Sequence, residues 1–319
     1  MKRWKSAIRL LGFGFPTAFL VVAGGVYFYL PRLVAEVRNP LAGHFNPAIL
    51  RIEKPELTSR GIRNAFGFRI RVNDSIRLSA YEVPAAGRAR GTIVALHGYR
   101  SNKNRFLPAA GYFSKHGWNF IAVDLRGHNE SDGRFTGFSY YERRDLNAFL
   151  DSLKKNGHIR RPLVLYGHSI GAATAVFTAA HRKDVDALVL ESCFDRFGDL
   201  IPNYLDYYTG VSRLGTGSIA RNLFERLRIP PDSLNPVDVA PEIGIPVLQV
   251  QGDADPKVKP AQARRLFERW ASTQKQWITI RGGTHNRLWL PDTTTYFERL
   301  NAFLTHVLPE HPMPAEATK

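Results

Sequence analysis

The sequence predicts an α/β protein built on a mostly parallel, doubly wound sheet. Short apolar runs of strand length recur along the chain, segments of helical length separate most of them, and the runs end at Gly, Asp, Glu or Arg. An antiparallel hairpin opens the sheet.

The elements follow in order. Phe66–Val72 and Ile76–Val83, split by Asn73-Asp74-Ser75, read as the opening hairpin. Thr92–Leu96, Phe120–Val123, Leu163–Tyr166, Ala187–Leu190, Val247–Val250 and Trp277–Ile280 are mostly apolar along their length, as strands covered on both faces must be. Helices are expected over Phe106–His116, Tyr140–Asn156, Ile170–His181, Pro260–Ala271 and Thr293–Val307, and right-handed crossovers should return each to the sheet. The alternation lapses only between Ser192 and Pro246.

Composition narrows the function. With 319 residues and 44% hydrophobic side chains, the chain can bury a large core, so disorder is excluded as its main state. One Cys excludes a disulfide scaffold and a multi-cysteine metal site. The net charge is +16, but the basic residues are dispersed and accompany no helix-turn-helix, finger or RNA-recognition signature, so no nucleic-acid partner is expected. No HExxH, Walker loop or complete Rossmann fingerprint occurs, and neither a metal nor a cofactor is expected.

Lys2, Arg3, Lys5 and Arg9 precede an uncharged stretch from Leu10 to Leu30. As a helix it would be about 31 Å long, enough to span a bilayer core. Residues 1–30 are therefore expected to be a basic segment and a transmembrane anchor. The basic residues ahead of the span place the amino terminus in the cytoplasm and the remainder across the membrane. A cleaved signal peptide is the competing reading, with Val21 and Ala23 before a cut ahead of Gly24. Residues 31–60, with Pro31, Pro40, Pro47 and Pro55, read as a linker or lead-in, and 309–319 as a tail.

The chemistry centres on Gly167-His168-Ser169-Ile170-Gly171, which follows the expected strand Leu163–Tyr166 and opens a helix. A serine on such a strand-to-helix turn projects its hydroxyl from the sheet edge, and the flanking glycines permit the close backbone approach. That hydroxyl needs a base, and the base needs a carboxylate to orient it. Gly252-Asp253-Ala254-Asp255 and Gly283-Thr284-His285 follow later strands and would reach the same edge, where open α/β sheets bind ligands. Asp253 and Asp255 both remain candidates. Cys193 has no base paired with it in sequence and reads as a small buried hydrophobe. His168 is expected to turn away from the serine into the packing.

On these motifs the chain, from roughly Ala65 to Leu308, resembles the α/β-hydrolase superfamily, with an α/β-hydrolase domain over 61–308 and a small lid-like excursion at 192–238. Its branch looks most like the membrane-associated Bem46-like and serine aminopeptidase-like families. The resemblance implies that Ser169 is the nucleophile and His285 the base. It favours Asp255 as the acid, because Gly252, Asp255 and Val258 match the family's G-x-x-D-x-x-V. It also implies that the backbone amides of Tyr99, after the His97-Gly98 pair, and Ile170 form the oxyanion hole. Asp124-Leu125-Arg126-Gly127-His128-Asn129-Glu130-Ser131 resembles the family's structural D-x-R-G-x-G-x-S loop with Asn129 in place of glycine, so Asp124 and Arg126 are not expected to act in catalysis.

The function expected is a membrane-anchored serine hydrolase acting on a small-molecule or lipid-like carboxylic ester or thioester. Amide or peptide cleavage, or a non-catalytic interaction protein on the same fold, are the alternatives.

Overall fold

The protein, in a computed structural model, is described over residues 25, 28, 29, 32, 34–37, 62, 64–210, 216–289 and 292–308. The proposed anchor lies outside these residues apart from Gly25, Phe28 and Tyr29, as does the tail at 309–319. Among the described residues no helix is long and apolar enough to cross a membrane.

The strands are β1 (Phe66–Asn73), β2 (Ile76–Val83), β3 (Gly91–Leu96), β4 (Trp118–Val123), β5 (Leu163–His168), β6 (Ala187–Glu191), β7 (Val247–Gly252) and β8 (Lys275–Ile280). They form one sheet of eight strands in the order β1-β2-β4-β3-β5-β6-β7-β8. β1 and β2 form the antiparallel hairpin, β2 joins β4 antiparallel, and every later pairing is parallel. Every residue of β3, β5, β6 and β7 is buried, whereas in β8, at the sheet edge, only Ile278 is buried and Gln276 and Thr279 are exposed. Polar edge residues discourage pairing with another chain.

The principal helices are α1 (Leu107–Lys115), α2 (Glu142–Lys155), α3 (Ile170–Ala180), α4 (Leu200–Thr209), α5 (Thr216–Leu227), α6 (Pro260–Arg269) and α7 (Thr293–Val307). One core joins α2, α3 and α6 to the sheet through Leu146, Phe149, Ala172, Val176 and Leu266. The second packs α1 and α7 on the opposite face through Leu107, Phe113, Phe297 and Leu300. Removing one such leucine side chain costs about 2–5 kcal/mol. Local signals set the helix starts. Pro108 occupies the first turn of α1, and the Asp292 side chain accepts the Thr295 amide at 3.0 Å to cap α7.

Two regions depart from the sequence reading. The excursion after β6, expected only as an interruption of the alternation, holds the helices α4 and α5 and short helical turns. The lead-in is also more than a linker where it is described. Val37 N donates to Arg134 O at 3.1 Å, Thr136 N donates to Ala35 O at 3.0 Å, and Ala35 is buried in the core.

Candidate active site

β5 ends in the elbow, and Ser169 turns the chain into α3 with φ 54° and ψ −116°. A non-glycine residue held there stores about 1–3 kcal/mol of strain, which the surroundings must offset. Ser169 N donates to Glu191 O at 2.9 Å, tying the elbow to the end of β6. Gly171 is required by proximity, since a Cβ there would stand 2.1 Å from Leu96 O. The small residues after it let α3 lie directly on β3 and β5.

His285 reaches the same edge from the turn after β8. Its Nδ1–H donates to Asp255 Oδ2 at 2.8 Å, and the Ser169 hydroxyl donates to its Nε2 at 3.1 Å. These bonds together select the neutral tautomer protonated on Nδ1. Ser169, His285 and Asp255 are all at most 5% exposed. Such an array can pass the serine proton to the imidazole while the carboxylate balances the new charge.

The Asp255 carboxylate is well supported. Its Oδ1 accepts the amides of Lys257 at 2.9 Å and Val258 at 3.0 Å. Burial pushes its pKa up, but the His285 ring and these amides outweigh that and hold it below the ordinary carboxylate value. Asp253 is exposed and instead accepts the Gly282 amide at 2.6 Å.

The two amides expected to bind an oxyanion are those of Ile170, next to the serine in sequence, and Tyr99. Ile170 is the first residue of α3, so its N–H has no carbonyl one turn back to bond. Tyr99 follows Gly98 beyond β3, and its hydroxyl donates to Val34 O at 2.6 Å. Below this loop the rings of His97 and His128 meet edge-on at 4.8 Å. His128 Nε2 accepts the Arg100 amide at 3.2 Å and His97 Nε2 accepts the Leu125 amide at 3.0 Å. Burial lowers the pKa of His97 to about 4 and that of His128 to about 3, so both are neutral acceptors near neutral pH.

Asp124 and Arg126 make structural contacts. The buried Lys103 ammonium donates to Asp124 at 2.6 Å, to Glu130 at 2.8 Å and to Ser79 at 3.1 Å. Arg126 grips Asp145 through two bonds. Asn129 takes φ 44°, the left-handed region that the family's glycine enters freely. Cys193 is fully buried, and burial raises its thiol pKa.

The excursion does two things. Phe194, Phe197, Leu223 and Phe224 pack into the core, whereas Tyr204 of α4 lies edge-on to the His285 ring with centroids 6.4 Å apart. Tyr207 and Tyr208 are exposed. The Lys257 ammonium lies 5.1 to 5.3 Å from the ring centroids of Tyr204, Tyr207 and Tyr208. Nothing in the sequence marked Lys257, because its partners lie in a segment about fifty positions away.

His168, expected in the packing, is buried there, and its Nε2 meets the backbone oxygen of His285 at 2.7 Å. The elbow strand and the turn after β8 converge at this edge, and only that convergence brings the two histidines together.

The profile of a family described as Hydrolase_4, serine aminopeptidase S33, matches residues 87–237. The chain is 26% identical over 259 residues to the uncharacterised protein YqkD of Bacillus subtilis, covering 80% of this chain and 81% of YqkD. It is 27% identical over 240 residues to the protein Bem46 of Schizosaccharomyces pombe, covering 74% of this chain and 75% of Bem46. Among solved structures, an esterase of Pyrococcus furiosus, Pf2001, superposes with a TM-score of 0.68 at 20% identity, covering 81% of this chain and 96% of the esterase. The chain has the α/β-hydrolase fold and is a serine hydrolase, similar over about three quarters of its length to YqkD and Bem46.

Proposed function

We propose that Ser169, His285 and Asp255 are the catalytic triad of a carboxylic ester or thioester hydrolase. The observation that carries this reading is the unbroken hydrogen-bond chain from the Ser169 hydroxyl through the His285 ring to the Asp255 carboxylate. Ser169 Oγ attacks the substrate carbonyl while His285 Nε2 takes its proton, and Asp255 stabilises the resulting imidazolium. The amides of Tyr99 and Ile170 hold the tetrahedral oxyanion, each worth on the order of 3 kcal/mol in comparable chemistry. His285 then protonates the leaving group. Water, deprotonated by His285, releases the acyl group and restores Ser169.

An apolar acyl group fits the aromatic excursion, and the likeness to the Pyrococcus esterase favours esters. The family description names an aminopeptidase, which keeps amide cleavage as the rival within the same mechanism. The uncharged stretch Leu10–Leu30 supports a tether that holds the enzyme at a membrane with its catalytic domain outside the cytoplasm.

The test is fluorophosphonate labelling of the purified full chain, followed by turnover of p-nitrophenyl esters and aminoacyl p-nitroanilides. Labelling should vanish in Ser169→Ala with melting nearly unchanged, and esters should be turned over faster than anilides. Persistent labelling of Ser169→Ala removes the nucleophile assignment, and faster anilide turnover moves the enzyme to the amidases.

A further inference from the structure

We propose that His168 is a positioning residue for His285, acting on that histidine's backbone rather than its ring. The inference rests on the triad reading above. His168 stands between Gly167 and Ser169, is 2% exposed, and donates from Nε2 to the His285 carbonyl oxygen at 2.7 Å. The two rings lie 5.0 Å apart.

Among the described residues the other nitrogen, Nδ1, has no hydrogen-bond partner. It faces Gly98, where a Cβ would stand 2.5 Å from it. A proton there would be buried without an acceptor, so the ring keeps its single proton on Nε2, where the His285 carbonyl receives it. Burial, with the nearby positive charge of Arg105, accordingly holds the His168 pKa well below its ordinary value. One neutral ring thus joins the segment leading to Tyr99, the serine elbow and the turn that carries His285.

That turn needs such support. It follows the edge strand β8, contains Gly282 and Gly283, and is braced locally by Gly283 N to Ile280 O at 3.0 Å and Arg287 N to Thr284 O at 3.0 Å, and to the loop after β7 by Gly282 N to Asp253 Oδ1 at 2.6 Å and Ala254 N to Gly283 O at 3.1 Å. None of these bonds fixes the His285 carbonyl. With the His168 donor gone, the turn can drift and carry Nε2 away from Ser169 Oγ. A displacement of about 1 Å at such a group can cost roughly a hundredfold in rate.

The experiment compares His168→Leu and His168→Gln in the full chain with p-nitrophenyl butyrate, beside Ser169→Ala. Leucine fills the space without a donor, whereas the glutamine amide can offer an N–H close to where imidazole Nε2 lay. The expected result is a kcat loss of about tenfold to a hundredfold in His168→Leu with KM within about twofold, and recovery of most of kcat in His168→Gln. A folded His168→Leu with kcat within about twofold of wild type overturns the proposal. So do equal losses in the two variants, or a failure of both to fold, since either makes His168 a packing residue. If Ser169→Ala retains turnover, it is the triad reading that fails; if Ser169→Ala is inactive while His168→Leu is not, only the role of His168 fails.

Discussion

Asn203, on α4, donates its side-chain amide to the backbone oxygen of Lys257 at 3.0 Å. The same amide donates to Gln262 Oε1 at 2.8 Å. The helix that sets Tyr204 beside His285 is therefore fastened to the loop that carries Asp255. Lys257 completes the attachment, because its backbone amide bonds Asp255 while its ammonium lies among three tyrosine rings.

Lys257→Met keeps the stem and the backbone amide and removes the charge. Each cation–ring contact contributes about 0.5–1 kcal/mol at an exposed site. The variant should melt slightly lower, and limited proteolysis should cut between residues 200 and 227 faster while cleavage elsewhere is unchanged. Equal proteolysis of variant and wild type would show that the ammonium does not hold α4.

Asp255 and Asp253 can be separated by amide replacement. Asp255→Asn cannot accept the His285 Nδ1 proton as a carboxylate does, and kcat should fall by about four orders of magnitude. Asp253→Asn retains an oxygen for the Gly282 amide and should leave kcat within about threefold. Steady-state ester hydrolysis by the two variants measures both.

His97 and His128 make stability depend on pH. Their folded pKa values, about 4 and about 3, lie below the ordinary value of 6.5, so on acidification the unfolded chain takes up protons first. Stability is thus at its full value above about pH 6.5 and declines as pH falls towards 4. Each unit of separation corresponds to about 1.4 kcal/mol. Urea midpoints should drop between about pH 7 and about pH 5 in the wild type and drop less steeply in His128→Gln, if that variant folds. A parallel decline in both proteins would assign the acid sensitivity to other groups.

The centre of the sheet was legible because β3, β5, β6 and β7 are buried on both faces. Leu163–Tyr166 and Val247–Val250 had to be apolar throughout, and the structure extends each by two residues, into the polar turns at the site. The elbow was legible because its glycines satisfy a steric demand that is local in sequence. The excursion was not, since Tyr204 and Phe224 are both aromatic residues on helices and the chain does not reveal that one lies beside an imidazole while the other fills the core. The role of His168 was hidden for a similar reason: its partner is a backbone oxygen 117 positions away, and a carbonyl has no sequence signature.

The bond from Tyr99 to Val34 carries a spatial consequence. Were the tether proposed above present, the chain would already be seated on the catalytic domain at Val34. So short a leash would deny the enzyme a roaming radius. It would graze on molecules at or just above the bilayer, and its reach would be set by their lateral diffusion and protrusion rather than by its own swing.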